Sequence, residues 1–272
     1  MHQIVRKLLR TVANHDPAYY DMYADPHEAC FARLYVERIA HAAAEAGIRQ
    51  PATLLEAGCQ AGRLVVPLAQ RGFRVTGIDT SGFALRRARR HARESGVAAA
   101  FRRGDLLEVL RRTPGCAYDV VVCAEVLYLA PNFREMVRAL AGAVRPGGLL
   151  CISHRPVGYY FIEAIRHGDL ATALRVLGSR EGRFDGPFPE RGYYNWQDEA
   201  DLRRLYGELG FRDVALYPID RYAWLSGIDV ARLTGTEHDA WLELELRSDG
   251  LSAVSGRYTL VVAVKPHHRT TE

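Results

Sequence analysis

Between residues 51 and 154 of this 272-residue chain, five short apolar runs alternate with stretches of helical spacing. The runs are ATLLEAG (52–58), FRVTGID (73–79), AAAFRRGD (98–105), YDVVVCAE (118–125) and GLLCISH (148–154). Between them, apolar residues recur at helical intervals, as at Leu64, Val65, Leu68 and Ala69, and again at Met136, Val137, Leu140 and Val144. Strands that alternate with helices build βαβ units, and a parallel sheet buried on both faces needs near-continuous apolar strands. The pattern predicts a doubly wound α/β fold.

Four strand ends carry groups suited to chemistry. The first run leads into Glu56-Ala57-Gly58-Cys59-Gln60-Ala61-Gly62, whose glycines permit a sharp turn and close approach of backbone to a ligand. Asp79 ends the second run about 20 residues beyond Gly58, where a carboxylate can accept both hydroxyl hydrogens of a ribose. Capping the following helix is the plainer role for it. Gly104-Asp105-Leu106 follows the third run, and Cys123-Ala124-Glu125-Val126-Leu127 ends the fourth. Each is weak alone. Together they fall at the carboxyl ends of successive strands, the edge where open α/β sheets bind ligands.

In these motifs the chain resembles the class I S-adenosylmethionine-dependent methyltransferases of Rossmann-like fold, in their small-molecule branch. The resemblance is close over about residues 50–154 and looser toward the C-terminus. It implies a mostly parallel seven-stranded sheet with an antiparallel C-terminal hairpin, S-adenosyl-L-methionine as cofactor, and transfer of a methyl group to O, N or C of a metabolite. Glu56 organises the first loop and Gly58 and Gly62 face the cofactor. Asp79, followed by Thr80, grips the ribose. Asp105 and Leu106 lie beside the adenine. Ala124 and Glu125 face the methionine part and the substrate. Gln60 is a departure, because the family usually has glycine there; it is expected at the cofactor, where its side chain either crowds the ligand or hydrogen-bonds to it. A nicotinamide-dinucleotide fold also pairs a glycine turn with a later acid, but GCQAGR lacks the GxGxxG spacing.

For the chemistry itself, alignment of nucleophile and methyl contributes about 7–11 kcal/mol, and a base helps where a proton must leave. His154, just after the fifth run, is the candidate base, with bonding to a loop as the alternative. Glu125 is a second candidate. Tyr128, Tyr159, Tyr160 and Tyr194 are candidates for a substrate pocket. The last three belong to an aromatic insert, residues 155–195, read as a lid or as a small core of its own. The Tyr19–Tyr23 string resembles the flap over the cofactor in small-molecule methyltransferases, and Tyr23 is the expected contact.

The expected division is an N-terminal helical cap (1–50), the cofactor-binding core (51–154), the lid (155–195) and a C-terminal part of the core (196–272) with a second insert at 218–256. Residues 28–47 read as one helix. A Thr236–Asp239 capping box opens another helix through about Leu246, though the alternation of Leu242, Leu244 and Leu246 also permits a strand. Ile4, Val5, Leu8 and Leu9 suggest a docking helix near the N-terminus, with a short amphipathic anchor as the alternative.

Composition excludes several classes. With 48% hydrophobic and 25% charged residues the chain is neither disordered nor collagen-like. No run of about 18 apolar residues spans a membrane. No signal-peptide pattern is present. Five cysteines lack metal-ligand spacing, so no metal site and a reducing, cytoplasmic setting are expected. A net charge of +4 is too small to suggest nucleic-acid binding. The basic run LRRARRHARES (85–95) reads as a solvated helix face, since no aromatics are interleaved for base stacking. Methylation of RNA or another macromolecule is the rival reading, and a non-catalytic cofactor-binding protein the third. The Asn-Pro-Pro-Tyr string of adenine or amide methylation is absent. A small-molecule substrate and a monomer or homodimer are expected.

Overall fold

The structure is a computed structural model that describes residues 21–184, 192–248 and 255–267. The expected docking helix near Leu8 lies outside the described residues. Seven strands form one sheet: β1 (Thr53–Ala57), β2 (Arg74–Asp79), β3 (Ala99–Arg103), β4 (Tyr118–Cys123), β5 (Val144–His154), β8 (Arg212–Ile219) and β9 (Tyr258–Val264). Their spatial order is β3-β2-β1-β4-β5-β9-β8. β1 to β5 pair in parallel, while β9 lies antiparallel between β5 and β8. The order reverses at β1, which places a crevice over the carboxyl ends of β1 and β4.

The apolar runs form strands because each buries both faces. Leu54, Val120, Val122 and Cys151 face one core, while Leu55, Val121, Leu150 and Ile152 face the other. The first core is covered by α1 (Pro26–Glu45), α2 (Val65–Gln70) and α3 (Gly82–Glu94). The second is covered by α4 (Leu106–Arg111), α5 (Phe133–Ala143) and α8 (Glu199–Glu208). α1 starts where Asp25 accepts the N–H groups of His27 and Glu28, and Pro26 fits the first turn. In α3, Leu85, Ala88 and Ala92 are buried, while Arg86, Arg89, Arg90 and Arg93 face outward.

The aromatic insert folds as α6 (Val157–Arg166), α7 (Leu170–Gly178) and a two-residue ladder of β6 (Glu181–Gly182) with β7 (Tyr194–Asn195). Tyr160, Val176, Phe184, Tyr194 and Trp196 form its own core. The Trp196 indole donates to the carbonyls of Val176 and Ser179 at 3.1 and 2.9 Å. Residues 222–247 contain α9 (Tyr222–Ser226) and α10 (Gly235–Arg247). α10 settles the helix-or-strand alternative. Its capping box is Thr234 with Glu237, two residues earlier than Thr236 with Asp239, because Gly235 already opens the helix. α10 packs on α1, with Phe31 edge-on to Trp241 at 6.0 Å. Among the described residues no helix is long and apolar enough to cross a membrane.

Candidate active site

β1 stops at Ala57 because Gly58 turns at φ +84° and its N–H donates to the Ile78 carbonyl at 2.8 Å. A Cβ at Gly58 would lie 2.3 Å from Val126 Cγ2, so the turn admits only glycine. Gly62, at φ +90°, lets the loop approach Ala88 of α3, which a Cβ would meet at 3.4 Å. Gln60 also adopts a positive φ, +44°. Its N–H donates to Asp79 Oδ2 at 2.9 Å, and its side-chain Oε1 accepts the Met22 N–H at 3.3 Å.

Asp79 Oδ1 accepts the Ser81 N–H at 2.7 Å. The cap of α3 is therefore Ser81, whose Oγ accepts from Ala84, and not Asp79. Asp79 ties the first loop to the second strand end, and a carboxylate with about four acceptor positions still has two to offer. Asp105 caps α4 through Oδ1, which accepts the N–H groups of Leu107 and Glu108.

These loops enclose a cleft of about 770 Å³, within the usual size of small-molecule sites. Glu56, Gly58, Gln60, Asp79, Thr80, Asp105, Leu106, Ala124, Glu125 and Tyr128 all line it. Gly62 lies behind the loop rather than on its surface. Met22, Arg63 and Met136 line the cleft as well, although none of them is among the expected site residues.

Charge is unevenly distributed in the cleft. Glu56 is buried, and its Oε2 has no hydrogen-bond partner. Burial, with the charge of Asp79, pushes its carboxyl up to about 8 against the pull of Arg63. Arg63 is itself buried and joins Glu28 of α1 to Glu125, the latter at 2.8 Å. Glu125 sits at φ +59°, and its N–H donates to Ser153 Oγ at 2.6 Å. Burial raises the Glu125 carboxyl, but Arg63, Arg155 and Arg257 together hold it below the usual carboxylate range. Glu28, desolvated and facing Glu125, is raised instead.

The structure does not bring His154 to the cleft. It is buried between Phe133 of α5 and Tyr206 of α8, with Nδ1 at 3.1 Å from Gln197 Oε1 and Nε2 at 2.9 Å from Tyr206 Oη, and does not line the cleft. Burial pushes it down to about 4, only partly opposed by Gln197. Both of its nitrogens are engaged in these bonds. Tyr23 stacks on His91 at 4.0 Å and bonds to Ser95 at 3.0 Å, outside the cleft wall, where its neighbour Met22 stands instead. Tyr160 and Tyr194 lie in the core of the insert, and Tyr159 packs against Trp224. Of the four expected pocket tyrosines only Tyr128 lines the cleft.

The donor set suits a ligand with hydroxyls, an amine and positive charge. Asp79 offers spare acceptor positions, and Glu56 presents a buried oxygen with no partner. Among the described residues no group of His, Cys, Asp and Glu could hold a metal ion.

Residues 54–148 match the methyltransferase-domain family. The chain is 40% identical over 192 residues to the ubiquinone biosynthesis O-methyltransferase of Pseudomonas paraeruginosa, covering 69% of this chain and 79% of that protein. The enzyme of the same name from Methylobacterium sp. is 34% identical over 145 residues, which is 53% of this chain and 52% of that one. Among solved structures, magnesium protoporphyrin IX methyltransferase from Synechocystis, with bound S-adenosylhomocysteine, aligns at TM-score 0.54 and 21% identity over 96% of this chain and 98% of its own. A Methanosarcina mazei methyltransferase aligns at TM-score 0.56 and 17% identity over 81% and 95%.

The chain belongs to the class I S-adenosylmethionine-dependent methyltransferases. Its cofactor is S-adenosyl-L-methionine, and it transfers the methyl group to a small molecule.

Proposed function

We propose that the acceptor is a phenolic hydroxyl, making the enzyme an O-methyltransferase of small aromatic compounds. The observation that carries this reading is the division of the cleft. Carboxylates stand at the ends of β1, β2 and β3, whereas the far wall is built from Val126, Tyr128, Leu129, Ala130 and Met136. That wall suits a flat apolar acceptor. The 40%-identical relatives are O-methyltransferases of ubiquinone biosynthesis, which supports oxygen as the acceptor atom. Bound cofactor supplies an electrophilic methyl on a sulfonium. The chain's own residues bind and orient: Asp79 the ribose, Asp105 and Leu106 the adenine, and Glu56 with the Gly58–Gly62 loop the methionine end. Glu125, kept ionised by Arg63, fixes the segment after β4 against which the acceptor rests.

In this reading residues 1–50 form a cap, 51–154 the cofactor core, 155–195 the substrate-side cover and 196–272 the remainder of the core. The enzyme works in the cytoplasm as a monomer or homodimer without nucleic acid. The outward arginines of α3 are not interleaved with stacking aromatics, which supports the last point. The test is incubation with methyl-labelled cofactor and a panel of catechols, monophenols, amines and tRNA. Label is expected on phenolic oxygen. Label confined to amines or tRNA would refute the assignment.

A further inference from the structure

The cofactor anchors lie at the ends of β1 to β3, so the acceptor side of the crevice is toward β4 and β5. Arg155, the first residue beyond β5, is 5% exposed. Its guanidinium lies 3.8 Å from the ring centre of Tyr258, 4.0 Å from Tyr159 and 4.8 Å from Tyr128. Nη2 donates to Tyr258 Oη at 2.9 Å and Nη1 to the Arg257 carbonyl at 3.0 Å, while the buried Nε has no partner. Among the described residues no carboxylate comes within 4.0 Å of it. The contrast with Arg63 is direct, since Glu28 and Glu125 neutralise that guanidinium. A buried cation with no carboxylate in contact is costly, and the aromatic faces, with Glu125 at longer range, offset only part of the cost.

The charge is placed to be felt in the cleft. Tyr128 alone of the three rings lines it, so one aromatic layer separates the guanidinium from the acceptor side. The other charged and titratable groups around Arg155 are Arg257 just before β9, Glu125 after β4, Tyr35 on α1 and Tyr160 on α6. Glu125 is committed to Arg63, and Arg257 faces Asp220 at 3.7 Å. Arg155 is left to stabilise negative charge arriving from outside. His154, held by Gln197 and Tyr206, is not available to remove a proton.

We propose that Arg155 is a positioning residue that, acting through the Tyr128 wall, makes the acceptor side select small phenols as their anions. The phenol gives its proton to solvent on binding, and the phenolate oxygen arrives ready to react without a general base. The proposal rests on the phenolic reading of the acceptor.

The test uses the full chain with S-adenosylhomocysteine and 4-nitrocatechol as a chromogenic probe, following the phenolate absorption band against pH. The bound probe should ionise at least one pH unit below the free compound, about a tenfold change in proton affinity. Arg155→Gln should abolish that displacement and move the acid limb of kcat/KM upward by a similar amount, and Arg155→Lys should keep most of it. If the Gln variant fails to fold, the Lys variant decides, because loss of the displacement with the charge retained assigns Arg155 a purely structural role. An unbound probe, a probe bound as neutral phenol, or equal displacement in parent and Gln variant overturns the proposal. Methylation of phenols with the probe bound neutral refutes this inference and leaves the O-methyltransferase reading intact. Phenolate binding without phenol methylation does the reverse.

Discussion

Replacing Glu56 by Gln tests the electrostatics of the cofactor loop directly. The Glu56 carboxyl is 4% exposed, with one oxygen unpartnered, and is pushed up to about 8 from an ordinary 4.5. A carboxyl raised on folding contributes stability that is fully present below its unfolded value and is lost as pH rises through about 8. The whole span corresponds to on the order of 5 kcal/mol, at about 1.4 kcal/mol per pH unit. Because the group borders an open cleft, screening reduces the measurable part to about 2–3 kcal/mol. A little over half of that span lies above pH 6, so without cofactor the parent should lose about 2–5 °C of melting temperature between pH 6 and pH 9 beyond what Glu56→Gln loses. S-adenosylmethionine, which brings positive charge to the cleft, should restore stability at pH 9 in the parent more than in the variant. Thermal melts at the two pH values, with and without cofactor, measure both effects. Parallel decline of parent and variant would show that Glu56 is already ionised and paired, and the argument from its burial would fail.

Asp79→Asn should raise the cofactor dissociation constant about tenfold or more, since charge-assisted bonds contribute about 1.5–3 kcal/mol each. It should also lower stability by about 1 kcal/mol, because an amide cannot accept from both the Gln60 and Ser81 N–H groups; calorimetric titration and melting separate the two, and unchanged affinity would remove the ribose assignment. His154→Ala should cost about 2–4 kcal/mol of stability through the cavity and the stranded Gln197 and Tyr206, with cofactor affinity unchanged. The parent should also lose stability as pH falls from about 6.5 through 4, where the buried neutral imidazole must charge, and the Ala variant should lack that component. A loss of turnover without loss of stability would return His154 to the chemistry.

The elements of the core and their anchors are legible in the sequence because both depend on neighbours in the chain. An apolar run long enough to be buried on two faces becomes an inner strand, and the residues just past it stand at the ligand edge. Side-chain direction is set by parity, and His154 illustrates the difference. Leu150 and Ile152 face the core under α4, α5 and α8, so His154, two residues on, continues that side. Its place at the end of β5 suggested the cleft, but Gln197 and, from α8, Tyr206, brought to it from far along the chain, enclose it there. The insert is less legible for another reason. Tyr160 and Trp196 meet although they are far apart in the chain, and no local pattern separates tyrosines that pack together from tyrosines that line a pocket. Arg63 carried no signal, because its importance lies in Glu28 and Glu125, far from it in sequence. For α10, Thr234 and Thr236 both precede acids at helical spacing, and Gly235 within the first turn decides between them.

Gln60 gives the loop a history of compromise. Glycine would adopt its φ of +44° without strain, whereas a residue with a side chain gives up roughly 1 kcal/mol there. In return the amide oxygen holds the Met22 N–H, fastening the chain ahead of α1 onto the rim of the cleft. The missing glycine is thus no scar of decay in a binding motif. It is a mooring point, where a little backbone comfort is exchanged for an attachment that glycine has no atoms to make.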